Sequence, residues 1–403
     1  MAVLYGKNYG KPTLDLNFAG NKSLIDTTTG TNYVTFSRVQ SANEATYVGS
    51  DGLIKYAAAD EARFDHDPVT LESLGLLIEE SRTNLLRYSE QFNNNTWNKP
   101  GVVVTAVNST LAPDGTTTAD TISNVLNTFA WFGQNLSLSN SLTYTLSFYV
   151  KPLTESKIIA IESGNGVNTL NLSTLTVTNF SGSAISQILP INNGWYRVSF
   201  SVSGITNCPI IYIASVYGTA PWNINVSFAF WGAQLEQGFP TSYIPTTSST
   251  VTRAADVASI TGSNFSRWYN QNEGTMFVDS SALGLNTLNR TAYITDGSSS
   301  NSLGIVESPT ITQFLAYASG VSESSLIYNQ IGLNKKAYAY KTNDAAFATD
   351  ANPVLTDTSL TLPVVDRMDL NSRLGSNPLN GHISRLTYYP KRLPDIELQQ
   401  LTK

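Results

Sequence analysis

The chain has 403 residues, of which 41% are apolar and 10% aromatic, so it can bury sizeable cores and is not a disordered protein. Only 13% of the residues are charged and the formal net charge is −6, which excludes the basic surface that nucleic-acid binding requires. The apolar runs are short, so we expect no signal peptide and no membrane insertion.

The first 82 residues are the least regular part of the chain, and we expect a small mixed N-terminal region there. Gly49-Ser-Asp-Gly52 predicts a hairpin turn, residues 74–78 a short buried segment, and residues 84–91 one or two helical turns. No internal repeat with a period of about 20 to 50 residues occurs, which argues against the stacked coils of a β-helix or propeller.

The most chemically suggestive cluster in this region is Phe64-Asp-His-Asp-Pro68. Its residues Asp65, His66 and Asp67 could ligate a cation or polarise a water molecule. We interpret the segment as a tight turn instead, because Asp before Pro favours turn geometry and Asp side chains cap their own backbone. His382 is the other histidine of the chain, so a histidine-based zinc site would need carboxylates to complete it.

Charged residues of both signs gather at the end of the N-terminal region. Glu79 and Glu80 adjoin Arg82 and Arg87, which suggests a set of salt bridges at a domain joint. A catalytic pair of carboxylates is disfavoured, because adjacent residues of a strand point to opposite faces and cannot share one bond.

Between residues 83 and 250 the dominant hydrophobic period is two, which is the spacing of half-buried strands. This alternation occurs at Tyr144, Leu146, Phe148 and Val150, and again in residues 196–202 and 226–230. Turn clusters rich in Gly, Asn and Ser separate the strands. We therefore predict an antiparallel jelly-roll sandwich for residues 83–250.

Tryptophans in loop-like sequence are the candidates for sugar stacking. Lectin sandwiches hold a sugar against a flat aromatic face, with amide and hydroxyl groups around its edge. Trp97, Trp131 and Trp222 lie in segments rich in Asn, Thr, Gly or Pro, although buried packing competes with exposure for each of them. Trp195 and Trp231 lie in or beside strand patterns and are expected in the core.

A Pro/Ser/Thr stretch from Ile244 onward predicts an extended linker, after which strand-like segments resume. They are found at residues 274–280, 292–295, 310–318, 326–331, 336–341 and 383–389. A second antiparallel sandwich over residues 251–403 fits this pattern. At the end, Pro394 suits a first helical position and Asp395 and Glu397 suit a helix N-terminus, so we predict a short terminal helix.

Motifs for catalysis and cofactors are absent from the sequence. There is no G-x-S-x-G elbow, no P-loop and no complete dinucleotide fingerprint. The single cysteine, Cys208, lies in an apolar strand pattern without a neighbouring histidine, so we expect a buried, unreactive thiol. We therefore expect a protein that is not an enzyme and has no cofactor or metal.

Several blocks of sequence resemble a module that recurs in bacteriophage tail-fibre and head-spike-like proteins. In chain order they are Gly75-Leu-Leu-Ile-Glu-Glu-Ser-Arg-Thr-Asn-Leu-Leu-Arg-Tyr-Ser-Glu-Gln-Phe92, Trp97, Ala112-Pro-Asp-Gly-Thr-Thr-Thr-Ala-Asp120, Phe148-Tyr-Val-Lys151, Asn193-Gly-Trp-Tyr-Arg-Val198, Trp231-Gly-Ala-Gln-Leu-Glu-Gln-Gly238, Tyr243-Ile-Pro-Thr-Thr247 and Val251-Thr-Arg-Ala-Ala-Asp256. The module is similar to carbohydrate-binding jelly rolls. Gly274-Thr-Met-Phe-Val278 and residues 379–398 resemble a concanavalin A-like, laminin G-like lectin sandwich.

The resemblance implies a virion location and a function in adhesion, but not a set of contact residues. We expect an appendage such as a tail fibre that binds host surface polysaccharide, joins other phage proteins through residues 1–82 and forms a homotrimer. Two alternatives stay open: a head-fibre, decoration or adaptor protein that braces the particle, and a capsule depolymerase. Lectin-like sandwiches often bind calcium, yet no Asp/Asn ligand loop is found here.

Overall fold

The structure, a computed structural model, describes residues 10–39, 44–126, 130–182, 184–213, 225–284, 289–370 and 379–403. Within these residues the chain is nearly all β, with antiparallel sheets and three short α-helices. The predicted all-β class is therefore confirmed. Among the described residues, no helix has the length and apolar character needed to cross a bilayer.

The first part of the chain forms short strands and one helical turn. These are β1 (Leu14–Leu16), α1 (Phe18–Asn21), β2 (Thr35–Ser37), β3 (Ala45–Val48), β4 (Ile54–Ala57), β5 (Arg63–His66), β6 (Ser73–Ile78) and β7 (Arg82–Asn84). The predicted turn between β3 and β4 is confirmed, because the N–H of Gly52 donates to the carbonyl of Gly49 at 2.9 Å. The predicted buried segment is confirmed as β6.

The helical turns predicted for residues 84–91 are wrong. The N–H of Leu85 donates to the carbonyl of Leu235 at 2.8 Å, and the side-chain oxygen of Asn84 accepts from the N–H groups of Leu86 and Leu235. Pairing with a distant strand therefore satisfies the backbone groups that a helix would have used.

The middle part of the chain forms a sandwich with its own core. Its strands are β8 (Val102–Thr110), β9 (Ala119–Asn124), β10 (Trp131–Phe132), β11 (Thr143–Pro152), β12 (Ile158–Ser163), β13 (Gly166–Asn171), β14 (Thr176–Gly182), β15 (Ile185–Pro190), β16 (Tyr196–Ser203), β17 (Ile210–Ile213) and β18 (Ser227–Gln237). They form sheets of order β15-β16-β11-β18-β9-β8 and β10-β17-β12-β13-β14. The alternating residues predicted from Tyr144 to Val150 all face the core between the sheets, as expected. We call this unit the middle sandwich.

The next strand, β19 (Val251–Arg253), pairs with β7 in a separate two-stranded sheet. The remaining strands belong to a second sandwich, which we call the outer sandwich. They are β20 (Val257–Thr261), β21 (Glu273–Ala282), β22 (Asn289–Thr295), β23 (Ser302–Glu307), β24 (Thr312–Ala318), β25 (Val321–Tyr328), β26 (Lys335–Lys341), β27 (Asp344–Thr349), β28 (Leu355–Asp357), β29 (Arg367–Asp369) and β30 (Gly381–Tyr389), with helices α2 (Gly262–Ser266) and α3 (Asp395–Leu401). One sheet has the order β28-β27-β26-β21-β30-β6-β5 with β1 also on β30, and the other has the order β2-β20-β29-β22-β23-β24-β25.

The outer sandwich takes strands from both ends of the chain. In β30, Tyr388 pairs with Leu14 of β1 and Gly381 pairs with Ile78 of β6. Side chains from β1, β2 and β6 fill the same core as those of β20 to β30. The division at residues 82/83 and 250/251 stays a prediction, but the first 82 residues contribute strands to both outer sheets.

The predicted terminal helix is confirmed as α3. Pro394 precedes the helix at its N-cap, one position earlier than predicted, and Asp395 and Glu397 occupy the first turn. Leu393 and Leu398 pack on alanines of β26 and β27, so the helix covers the outer face of one sheet.

A chain of buried charges lies where the polypeptide returns from the middle sandwich to the outer one. The ion pairs alternate in sign: Arg38–Asp256 at 2.8 Å, Asp256–Arg63 at 2.5 Å, Arg63–Glu79 at 2.8 Å and Glu79–Arg253 at 2.6 Å. All five side chains are at most 1% exposed. The predicted set of salt bridges therefore exists, but Arg63 and Arg253, the arginines that pair with Glu79, come from parts of the chain other than the neighbouring sequence. Glu80 does bond to the predicted Arg82 at 2.6 Å, whereas Arg87 is exposed.

We expect the thiol of Cys208 to be unreactive in the folded protein. Its side chain is buried, and burial raises its pKa to about 12, so the thiolate that attacks alkylating reagents is scarce at neutral pH. Alkylation by iodoacetamide at neutral pH should be at least about a hundredfold slower than in the urea-unfolded chain. Mass spectrometry of timed samples measures both rates. A variant with an exposed thiol, Ser139→Cys, should react rapidly when folded, and equal rates at Cys208 in both states would contradict the expectation.

Candidate ligand-binding groove

An open groove of about 1170 Å³ lies where the β3–β4 hairpin meets both sandwiches. Its lining comes from the hairpin, from β5, from the segment after α1 and from a turn of the middle sandwich. The lining residues are Lys22, Ser23, Leu24, Ile25, Asn32, Tyr47, Gly49, Ser50, Asp51, Ile54, Lys55, Tyr56, Glu61, Ala62, Phe64, His66, Asp114 and Thr116. The groove thus joins aromatic, hydroxyl, amide and charged groups from segments that are far apart in sequence.

Both sandwiches fix the hairpin. On the outer side, the N–H of Val48 donates to Asp65 at 2.6 Å and its carbonyl lies 3.0 Å from Nδ1 of His66. On the middle side, the N–H of Ile54 donates to the carbonyl of Pro113 at 3.0 Å, and its side chain packs in the cluster that contains Trp195. The groove is therefore a preformed feature of the fold.

The segment predicted as a tight turn, Phe64-Asp-His-Asp-Pro68, is largely a strand. Asp65 and His66 belong to β5, and Asp65 also lies 2.8 Å from Nε2 of His382. Asp67 alone makes the expected turn contacts, by accepting from the N–H groups of residues 69 and 70. Strand pairing with β6 overrides the local turn preference. Among the described residues, no group of three or more His, Cys, Asp or Glu side chains is placed to hold a metal ion.

Three aromatic side chains, those of Tyr47, Tyr56 and Phe64, line the groove in a half-buried state. Burial and the neighbouring carboxylates of Glu90 and Asp114 raise the pKa of Tyr56 well above its usual range. Burial and the charge of Glu61 likewise raise the pKa of Tyr47. Both phenols therefore keep their protons at neutral pH and can donate hydrogen bonds.

Three charged side chains of the groove, those of Asp51, Lys55 and Asp114, are engaged by the chain itself, whereas Lys22 is exposed and has no ion-pair partner among the described residues. Lys55 and Asp51 form an ion pair at 2.6 Å, and the hydrogen bond from Lys55 lowers the pKa of Asp51. Asp114 accepts from the Tyr56 hydroxyl at 3.2 Å and from the N–H and hydroxyl of Thr116 at 2.9 and 2.7 Å. The groove therefore presents fixed dipoles rather than a patch of one charge.

Neither Trp97 nor Trp131, two of the tryptophans named from the sequence, lines this groove. Trp97 is only 3% exposed and packs 4.9 Å from the ring of Phe92, so we correct its assignment as a sugar-stacking residue. Its indole N–H donates to the carbonyl of Tyr88 at 3.0 Å, which satisfies the polar atom inside the core. Trp131 is half-buried on β10, and its role in sugar stacking stays a prediction. Trp222 lies outside the described residues.

The core tryptophans are as predicted, because Trp195 and Trp231 are at most 1% exposed. Sequence reasoning missed Tyr47 and Tyr56 as groove residues. The hairpin turn between them predicted that their strands pair, but the register pairs Tyr47 with Lys55 and Tyr56 with Thr46, so the two tyrosines lie on opposite faces of the hairpin and the turn alone did not place them in one groove.

No family model and no curated protein matches this chain. Among solved structures, the CBM40 module of the Ruminococcus gnavus IT-sialidase aligns with 33% of this chain and 84% of that chain, at 15% identity and a TM-score of 0.29. The K499G mutant of NanB sialidase from Streptococcus pneumoniae covers 35% of this chain and 26% of its own, at 14% identity and a TM-score of 0.31. Domains LG4-5 of the mouse laminin alpha1 chain cover 63% and 83%, at 11% identity and a TM-score of 0.22. Because these TM-scores are below 0.5, function has to be inferred from the groove.

Proposed function

We propose that this protein is a non-enzymatic adhesion protein that binds glycans in the groove at the β3–β4 hairpin. The observation that carries the proposal is the set of half-buried aromatic rings, Tyr47, Tyr56 and Phe64, surrounded by hydrogen-bonding groups in one open groove. Sugars offer C–H faces for aromatic rings and hydroxyl edges for polar groups, so both parts of the groove have a counterpart in a glycan.

We further propose the biological setting indicated by the sequence blocks: a bacteriophage virion appendage, such as a tail fibre, whose ligand is polysaccharide of the host surface. A shallow groove gives weak binding to one sugar, so several copies acting together would supply the adhesion. A homotrimer fits this need, and sedimentation of the purified protein tests it. Antibody-labelled electron microscopy of virions tests the location.

We expect the double substitution Tyr47→Ala/Tyr56→Ala to weaken glycan binding by at least about tenfold, because it removes the rings that would carry most of the contact. The purified chain is first applied to a printed array of neutral and acidic oligosaccharides. Isothermal titration with the best array ligand then compares the two proteins.

Two variants serve as controls for the double substitution. Tyr317→Ala removes a half-buried tyrosine of β24, outside the groove, and should leave binding unchanged. Tyr56→Phe keeps the ring and loses the hydroxyl that bonds to Asp114, so it should retain most of the affinity. Wild-type affinity in the double variant would show that the groove is not the binding site, and a wild-type chain that binds nothing on the array or on host cells would overturn glycan binding.

A further inference from the structure

Two consecutive strands of the middle sandwich are edges of its sheets. β14 pairs with β13 on one side and β15 pairs with β16 on one side, and neither pairs with another described strand. The two strands also contact each other. We call β14 and β15 together the open edge. An edge strand exposes a row of backbone N–H and C=O groups, which is a template for pairing with another chain.

The side chains of the open edge are exposed and uncharged. Every described side chain of β14 is exposed, among them that of Val177, and so is Leu175 just before the strand. On β15, Ile185 is 74% exposed and Leu189 is 43% exposed. No charged residue occurs in residues 163–196. Exposed apolar side chains gathered on neighbouring strands mark a surface for protein contact.

The other edge strands of the four large sheets have the features that normally prevent such pairing. β1, β2, β10 and β28 have at most three residues, β8 has two register shifts, and β5 and β25 contain charged residues and a register shift each. Short length, bulges and charge are the devices by which proteins block association at sheet edges. By contrast, β14 keeps a regular register over residues 176–179 and β15 over its full length, where Pro190 occupies only the last position.

The charge of the chain indicates which partner fits the open edge. The formal net charge is −6, so two copies of the chain repel each other in general. At the open edge a second copy can approach without burying a charge or bringing like charges together. Each copy also offers the same unpaired backbone groups, so pairing would extend a sheet from one copy into the next. A partner recognised by its charge would find no counterpart on these strands.

We propose that the open edge is the contact between copies of this chain, with the exposed side of β14 bound to the open edge of a second copy. This inference rests on the oligomer in the proposed function and gives that oligomer a contact surface. No residue of the open edge lines the groove, so assembly and glycan binding can be lost separately.

Two lysines added to the open edge test the contact. Thr178→Lys/Ile185→Lys replaces exposed side chains, and the new charges meet like charges where two copies would pair. Sedimentation equilibrium should give a multiple of 43.7 kDa for wild type and a dissociation constant at least about tenfold higher for this variant. A general charge effect would act in the opposite direction, because the substitutions bring the net charge closer to zero. Ser322→Lys/Ser325→Lys is the matched control, since it adds the same charges at exposed positions of β25 and should leave assembly unchanged.

Hydrogen exchange followed by mass spectrometry locates the contact, because the amides of β14 should exchange more slowly in assembled wild type than in the dissociated variant. A wild type that sediments as one copy would overturn both the contact and the proposed homotrimer, while glycan titration would still decide the function of the groove. Equal dissociation constants for wild type and Thr178→Lys/Ile185→Lys, or dissociation of the β25 control as well, would overturn the open edge alone. A mass that grows without limit with concentration would also overturn it, since this is aggregation and not a defined contact.

Discussion

Glu79→Gln is expected to lower the free energy of unfolding by about 3–5 kcal/mol, because it breaks a buried ion pair from one side. Oε2 of Glu79 lies 2.6 Å from Arg253 and 2.8 Å from Arg63, and the carboxylate also accepts two bonds of 2.7 Å from Ser242. The amide would leave these two arginines with only the charge of Asp256 between them. Urea denaturation followed by tryptophan fluorescence measures the change.

The matched control removes an exposed carboxylate that also pairs with a cation. Asp51→Asn breaks the ion pair between Asp51 and Lys55, whose two side chains are both well exposed. It should lower the free energy of unfolding by at most about 1 kcal/mol. If Glu79→Gln were no more destabilising than Asp51→Asn, the buried charges would contribute nothing specific to stability. If Glu79→Gln failed to fold, Glu79→Asp, which keeps the charge, should recover part of the folded protein.

The same carboxylate gives stability a defined dependence on pH. Burial alone would raise the pKa of Glu79, but the charges of Arg253 and Arg63 hold that pKa well below its usual range. A carboxyl with a lowered pKa in the folded state stabilises the fold above its unfolded pKa of about 4.3, and this stabilisation fades as pH falls towards the folded pKa. Below about pH 4 the wild type should therefore lose stability that Glu79→Gln has already lost, and their urea midpoints should converge.

Gly75→Ala is expected to destabilise the outer sandwich by about 2–5 kcal/mol, from backbone strain and steric overlap together. Gly75 lies within β6 with φ of +97°, and a Cβ there would meet the carbonyl oxygen of Ile383 at 2.2 Å. That oxygen belongs to β30, which pairs with β1, β6 and β21, so it has little room to move.

The consequence of Gly75→Ala should extend to the groove. β6 holds β5, and β5 carries Phe64 and His66, so displacement of β6 should weaken sugar binding together with stability. Gly164→Ala is the control, because a Cβ at Gly164 has no atom within 4 Å and its φ is not positive. Urea denaturation of both variants measures the difference, and we expect a lower urea midpoint for Gly75→Ala than for Gly164→Ala. Equal midpoints would contradict the argument from backbone strain and steric overlap.

Local pattern was sufficient to predict the middle sandwich. Alternation of apolar and polar residues along β11 and β16 depends only on neighbours in sequence, and it identified the core-facing side chains correctly. The terminal helix was also predictable, from a proline and acidic residues at its start.

Pairing between distant segments could not be predicted in this way. β6 joins β30 across some 300 residues and β1 joins it across some 370, and no local signal marks which distant strand is their partner. The groove depends on the same long-range pairing, since Tyr56, His66 and Asp114 meet only after both sandwiches are assembled. For Trp97 the Asn-rich surroundings left burial and exposure both open; its indole N–H donates to the carbonyl of Tyr88, which satisfies the polar atom inside the core.

The pairing of the two chain ends in the outer sandwich sets an order of events during synthesis. All strands of the middle sandwich lie between Val102 and Gln237, so this unit can form while the ribosome is still translating the rest of the chain. The outer sandwich has to wait for β30, and until then β1, β5 and β6 are without the strand that joins them to the sheet. The nascent chain therefore carries β1, β5 and β6 without this partner while the residues between β6 and β30 are translated, and we expect its greatest exposure to aggregation and to chaperones in that interval.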